Sequence, residues 1–156
     1  MARTSISELE SLYRSNYRRF VRVATAILRD EDMAVDAVQE AFASALRDRA
    51  RFRGDGPLEA WVWRIVVNAA RKQQARTPSV PLDELAGDDP EPRDESVRRA
   101  VRRLPERQRL ALFLRYYADL DYESIAQALD VRPGTVAAAL HAAHETLRGS
   151  LQEVSR

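Results

Sequence analysis

DYESIAQALDVRPGTVAAALHAAHETLR, residues 121 to 148, holds two amphipathic segments around a short break. Ile125, Ala126 and Leu129 recur at helical spacing in the first segment, and Val136, Leu140 and Leu147 in the second. Between them, Asp130 to Gly134 contains Pro133, which lacks an N–H and restricts the residue before it. The first helix therefore stops before Pro133 and a second starts near Gly134 and Thr135, with Asp121 or Ser124 able to cap the first. This is a helix-turn-helix pattern, in which the second helix turns its amino-terminal residues outward as a helix entering a DNA major groove must.

The side chains on that second helix are unusual for a groove reader. Ala137, Ala138, Ala139, Ala142 and Ala143 donate to neither base edge nor phosphate, leaving His141, His144 and Arg148 for polar reach. Two readings follow from the stretch alone: a duplex reader with few cations, or a helical hairpin that only packs.

The chain around it has 156 residues, 45% of them hydrophobic, enough for one ordinary domain or two small ones. No apolar run approaches the roughly 20 residues of a membrane span, so direct membrane insertion is not expected. MARTSISELE has no hydrophobic secretory core, which points to the cytoplasm. With no cysteine, disulfides, thiolate metal sites and a cysteine nucleophile are excluded. Two histidines with no thiol beside them fall short of a metal-binding set, so neither a metal nor a cofactor is expected at His141 and His144.

The net charge of +1 conceals a segregation. Residues 1–76 carry 14 basic against 10 acidic side chains, residues 77–96 carry 1 against 7, and residues 97–156 carry 10 against 7. Two cationic bodies joined by an acidic strap suit a polyanionic partner. A small positive excess is also ordinary on a helical surface.

Helical spacing starts at Ile6 and runs through Leu9, Leu12, Tyr13, Tyr17, Phe20, Val23, Ala24 and Ile27, with Ser5 and Glu8 set for a capping box. After a break at Arg29 to Asp32, a second stripe comprises Ala34, Val35, Val38, Phe42, Ala45 and Leu46. Asp36, Gln39 and Glu40 fall on its other face. The loop RARFRGDGP, Arg49 to Pro57, gathers Arg49, Arg51 and Arg53 around Phe52, with Gly54 and Gly56 for sharp turns. Pro57 then opens a third helix, whose stripe reads Leu58, Trp61, Val62, Ile65, Val66 and Ala69. Trp63, Arg64, Asn68, Arg71 and Lys72 are expected on or beside the opposite face. Cations for phosphates, rings for unstacked bases and an amide for base edges are what single-stranded nucleic acid requires. Both tryptophans as core residues is the competing reading, stronger for Trp61 than for Trp63.

From Thr77 to Glu95 periodicity vanishes among four prolines and seven acids, which reads as a linker able to extend on the order of 60 Å. Val97, Ala100, Val101 and Leu104 resume a helix rich in arginine, and Pro105 ends it and opens another with Leu110, Ala111, Phe113, Leu114 and Tyr117 inward. The expected fold class is all-α: two small helical domains, residues 1–76 and 96–152, joined by a flexible acidic linker over 77–95.

Four motifs occur in order: DAVQEAF from Asp36, FRGDGPLEAWVWRIVVNAAR from Phe52, LPERQRLALFLRYYADLDYESIAQAL from Leu104, and RPGTV from Arg132. Together they resemble the extracytoplasmic-function sigma factors of bacterial RNA polymerase. The resemblance covers nearly the whole chain outside the linker and implies a sigma-2-like domain followed by a sigma-4-like domain. It implies that Asp36, Gln39 and Glu40 bind core RNA polymerase. It gives Phe52, Arg53, Asp55, Trp63, Arg64, Asn68, Arg71 and Lys72 to the −10 element of promoter DNA. For the −35 element it leaves Arg132, Thr135, His141, His144 and Arg148. Family members commonly follow GTV with Lys-Ser-Arg, where this chain has Ala137, Ala138 and Ala139.

The expected function is that of a promoter-specificity subunit that recruits core polymerase and opens promoter DNA, with no catalytic residues and with an anti-sigma factor as a further partner. The alternative is a sigma-like regulator that binds polymerase or a partner protein while reading the −35 element weakly or not at all. A small helical enzyme is the third possibility, and no convergent acid–base, nucleophile or metal set supports it.

Overall fold

The computed structural model describes residues 4–77 and 95–154, which form seven α-helices and one 3-10 turn. Helix α1 (Ile6–Leu28) begins in the anticipated capping box: the Ser5 hydroxyl accepts from the Glu8 N–H at 3.1 Å, and the Glu8 carboxylate accepts from the Ser5 N–H at 2.9 Å. It ends where Arg29 takes a left-handed conformation, φ 60°, and returns its N–H to the Thr25 carbonyl. Asp30 caps α2 (Glu31–Arg47) by accepting from the Met33 N–H at 3.0 Å, so the break between the two helices is shorter than its charge cluster implied. After the 3-10 turn at Arg49–Arg51, Gly54 turns the chain at φ 78° and Pro57 leads into α3 (Leu58–Arg76).

These three helices pack around Phe20, whose ring lies 5.2 Å from Phe42 and 4.4 Å from Trp63. Here the expected stripe of α3 needs correcting. Its buried residues are Ala60, Val62, Trp63, Val66, Val67 and Ala70, whereas Leu58, Trp61, Ile65 and Ala69 are only half-buried. The cause is tertiary. Helix α3 packs on α1 and α2 together, so its buried arc is wide and centred about a residue away from the one that hydropathy alone selects.

The second half comprises α4 (Glu95–Arg102), α5 (Glu106–Tyr116), α6 (Tyr122–Leu129) and α7 (Pro133–Val154). The buried Arg109 guanidinium closes the α4–α5 junction, its Nη1 donating to the Arg102 and Leu104 carbonyls at 3.3 Å each. Burial, and next the nearby Arg29, hold its pKa below the ordinary guanidinium value, with Glu106 acting in the opposite sense. Asp121 caps α6, accepting from the Ser124 N–H at 2.8 Å; the bonds to Ser124 lower its carboxyl pKa. Asp130 ends α6 at φ 57°, and Pro133 occupies the first turn of α7, where a missing N–H costs nothing.

The two halves touch: α6 lies on α3, and α5 meets α1. Apart from its end residues Thr77 and Glu95, the expected linker falls outside the described residues. No described helix is long and apolar enough to cross a membrane.

Candidate nucleic-acid interface

An open recess of about 370 Å³ lies where α2 ends, the 3-10 turn begins and α3 passes, lined by Asp48, Arg51, Trp61, Arg64, Ile65 and Asn68. Four of these, Trp61, Arg64, Ile65 and Asn68, stand at i, i+3, i+4 and i+7 on α3 and so share one face. Phe52 closes the loop side, its ring 5.5 Å from that of Trp61 and tilted by 52°. An aromatic pair, an amide and two guanidiniums thus surround a half-apolar hollow of ligand size. A flat, hydrogen-bonding, phosphate-bearing group matches this chemistry.

Asn68 and Lys72 are exposed, as are Arg53 and Asp55 in the preceding loop. Arg71 continues the same face one turn beyond Asn68. Trp63 does not belong to it. Expected on the nucleic-acid face, it has no accessible surface, packs on Phe20, and donates from Nε1 to the Glu59 carboxylate at 3.4 Å. Trp61, read mainly as core, is the tryptophan at the recess. Arg51 belongs to the loop cations expected there, whereas Asp48 and Ile65 were not expected at the interface, although the spacing from Trp61 to Asn68 carried the signal for Ile65.

Two of the recess-side cations are engaged from the other half of the chain. Arg64 Nη2 lies 3.7 Å from Asp130 Oδ1, and Arg71 Nε lies 3.2 Å from Glu106 Oε1. Gly56 approaches Gln127 so closely that an added Cβ would sit 2.8 Å from the Gln127 Oε1.

On α2, Asp36, Gln39 and Glu40 are all exposed at i, i+3 and i+4, opposite the buried Ala34, Ala37, Val38 and Ala41. Arg132, just before α7, and His141, His144 and Arg148 on it are exposed, and Thr135 is half-buried. His144 shares a 2.9 Å hydrogen bond with the Tyr116 hydroxyl, and Arg148 pairs with Glu145 at 3.3 Å. Ala139 and Ala143 are buried, contrary to the groove-facing position read for them, because they continue the Val136 and Leu140 stripe. The exposed start of α7 is consequently Gly134, Ala137, Ala138 and His141, a smooth surface without cations.

Comparison with known proteins agrees with this architecture. Residues 12–77 match the family model for sigma-70 region 2, and residues 94–147 match that for sigma-70 region 4. The RNA polymerase sigma-H factor of Pseudomonas aeruginosa is 32% identical, covering 81% of this chain and 77% of the relative. The ECF RNA polymerase sigma-E factor of Escherichia coli K12 is likewise 32% identical, with 78% of this chain and 75% of the relative covered. The chain belongs to the extracytoplasmic-function sigma factors. Two solved structures share the fold. The sigma factor RpoE of Bartonella quintana, in complex with the anti-sigma factor NepR, aligns with a TM-score of 0.74 at 19% identity, covering 94% of this chain and 98% of that one. CnrH in complex with the cytosolic domain of CnrY gives 0.74 at 21% identity, over 96% and 90%.

Proposed function

We propose that this sigma factor docks on core RNA polymerase through Asp36, Gln39 and Glu40, and that the recess between Phe52 and Asn68 holds an unpaired base of promoter DNA. The recess itself carries the reading. Phe52 and Trp61 offer a stacking surface, and stacking on a protein ring contributes about 1–3 kcal/mol per base irrespective of base identity. The Asn68 amide both donates and accepts, so it discriminates base edges. Arg51, Arg53, Arg64, Arg71 and Lys72 supply charge for the phosphates on either side, with Asp55 in the adjoining loop. A base held there is unavailable for pairing, so each captured nucleotide favours the open duplex.

The first α-helical body, taken as residues 1–76, would thus carry polymerase and −10 contacts, and the second, residues 96–152, the −35 contacts. Within the second, Arg132, Thr135, His141, His144 and Arg148 are the polar groups for upstream DNA, His144 sharing an exposed hydrogen bond with Tyr116 and Arg148 an exposed pair with Glu145. The neutral start of α7 favours weak duplex affinity there, with DNA shape contributing to recognition. The chain acts by binding, in the cytoplasm with the polymerase it serves, and supplies no catalytic group. An anti-sigma protein is the further partner that the resemblance supports.

The test combines purified chain, core polymerase and a library of promoter fragments, with transcript ends mapped. Defined starts that depend on the chain are expected. Polymerase binding without starts would replace this reading with that of a polymerase-bound regulator.

A further inference from the structure

Among the described residues lining the recess, Asp48 is the one acid, and the other charged groups, Arg51 and Arg64, are cations. For the fold this carboxylate does little. It stands at the carboxyl end of α2, where a negative charge opposes the helix dipole. It also precedes the 3-10 turn without capping it, since its side chain accepts no hydrogen bond there. Its ion-pair partner, Arg51 Nε, is 3.9 Å away, beyond hydrogen-bond reach. The two side chains are 40% and 81% exposed, so the pair adds little stability. Toward a phosphate the Asp48 carboxylate is repulsive. What it suits is a hydrogen-bond donor.

We propose that Asp48 selects the base held in the recess, and that this base carries an exocyclic amino group whose N–H the carboxylate accepts. The proposal rests on the reading of the recess as the holder of an unpaired base.

The edges of the four bases make the choice. An ionised carboxylate accepts and never donates. Cytosine and adenine each present an amino group, and guanine presents one beside its ring N–H. Thymine has a single ring N–H between two carbonyl oxygens, so a carboxylate in line with it meets two repelling acceptors. The other lining groups do not discriminate in this way. Trp61, with Phe52 beside it, stacks on any base, and the Asn68 amide donates or accepts as the edge next to the amino group requires. Arg51 and Arg64 only donate and match the phosphates on either side.

The experiment uses the full chain assembled on core polymerase. Single-stranded DNA oligonucleotides randomised at each position are bound, and the bound fraction is sequenced to find the selected base. At that position affinities are then compared for 2′-deoxycytidine against 2′-deoxyuridine, and for 2′-deoxyadenosine and 2′-deoxyguanosine against 2′-deoxyinosine, analogues in which the amino group is gone. Asp48→Asn keeps the shape of the side chain and gives it an N–H that donates to a carbonyl. Glu123→Gln, at an exposed position on α6, removes the same charge elsewhere as a control. Thermal melts accompany each variant, and Asp48→Asn should melt no lower than the parent because its charge opposes the α2 dipole.

The parent should hold the amino base roughly tenfold more tightly than its analogue, in the lower part of the range for a base-edge contact because Asp48 is partly solvated. Asp48→Asn should bring that ratio close to one, and Glu123→Gln should leave it at the parent value. A parent that captures the strand through Trp61 with no preference for an amino base overturns the proposal and leaves the base-holding reading in place. A preference that survives in Asp48→Asn overturns it as well, by moving selection to another group. Equal loss in the control overturns it by tracing the effect to net charge. Failure to capture any single strand removes the base-holding reading and the proposal together.

Discussion

Replacing each tryptophan of α3 by alanine separates the two roles that lie two residues apart. Trp63 has no accessible surface and packs on Phe20 at 4.4 Å, so Trp63→Ala leaves a cavity in the centre of the first helical body. Such a deletion costs about 3–5 kcal/mol. For a small domain with 4–8 °C of melting point per kcal/mol, that is a fall of about 12 °C or more. Trp61 is half-buried against Phe52 at 5.5 Å, and Trp61→Ala loses one ring pair worth about 1 kcal/mol and part of its burial. Its melting point should fall less than half as far. In DNA binding the order reverses: loss of one stacked base at about 1–3 kcal/mol weakens capture of an unpaired promoter strand roughly 5- to 150-fold. Circular dichroism melts and fluorescence anisotropy with a labelled single strand, using chain assembled on core polymerase, measure both quantities. A Trp63→Ala chain that melts like the parent but loses the strand refutes the assignment, and so does a Trp61→Ala chain that binds unchanged.

Two more predictions concern the second body. Ala137→Lys with Ala138→Arg puts two cations on the exposed start of α7 and should steepen the log–log salt dependence of duplex binding by about 2 units. An unchanged slope would mean that this face does not meet duplex DNA, while a cation at the buried Ala139 should instead unfold the helix packing. Asp121→Ala should cost about 1 kcal/mol near neutral pH through loss of the α6 cap. Because the folded carboxyl pKa is lowered, the cap's ionised contribution is complete above the ordinary carboxylate range and is lost as pH falls through the depressed value. Urea unfolding should therefore show the parent and variant converging in acid; a gap that persists there contradicts the assigned cause.

Local signals were legible because each is contained within a turn or two of chain. Ser5 with Glu8 and the Pro133 break place helix ends where the structure has them, and Asp121 is the one of two candidate caps, with Ser124, that the structure uses. The all-α arrangement of three helices and then four followed from such ends and from the stripes between them. What needed a partner surface was less legible. Nothing local says that α3 packs on α1, α2 and α6 at once, and so hydropathy favoured Trp61 over Trp63 for the core. Identical alanines behave oppositely for a related reason. The methyl group of Ala137 carries no more information than that of Ala139, and only the spacing from Val136 and Leu140 separates exposed from buried. The pairing of Arg64 with Asp130 and of Arg71 with Glu106 had no sequence signature, since exposed charges are abundant and their long-range partners depend on how the halves meet.

The central claim is that the face of α3 carrying Trp61, Arg64 and Asn68 holds promoter DNA as a single strand. Its most direct measurement places a photo-crosslinking phenylalanine analogue at Ile65, inside the recess, and irradiates the chain assembled with core polymerase on a promoter. The predicted product is an adduct to the displaced strand near its −10 element, formed only when the duplex is open. Adducts confined to polymerase subunits, or to duplex DNA before opening, would contradict it.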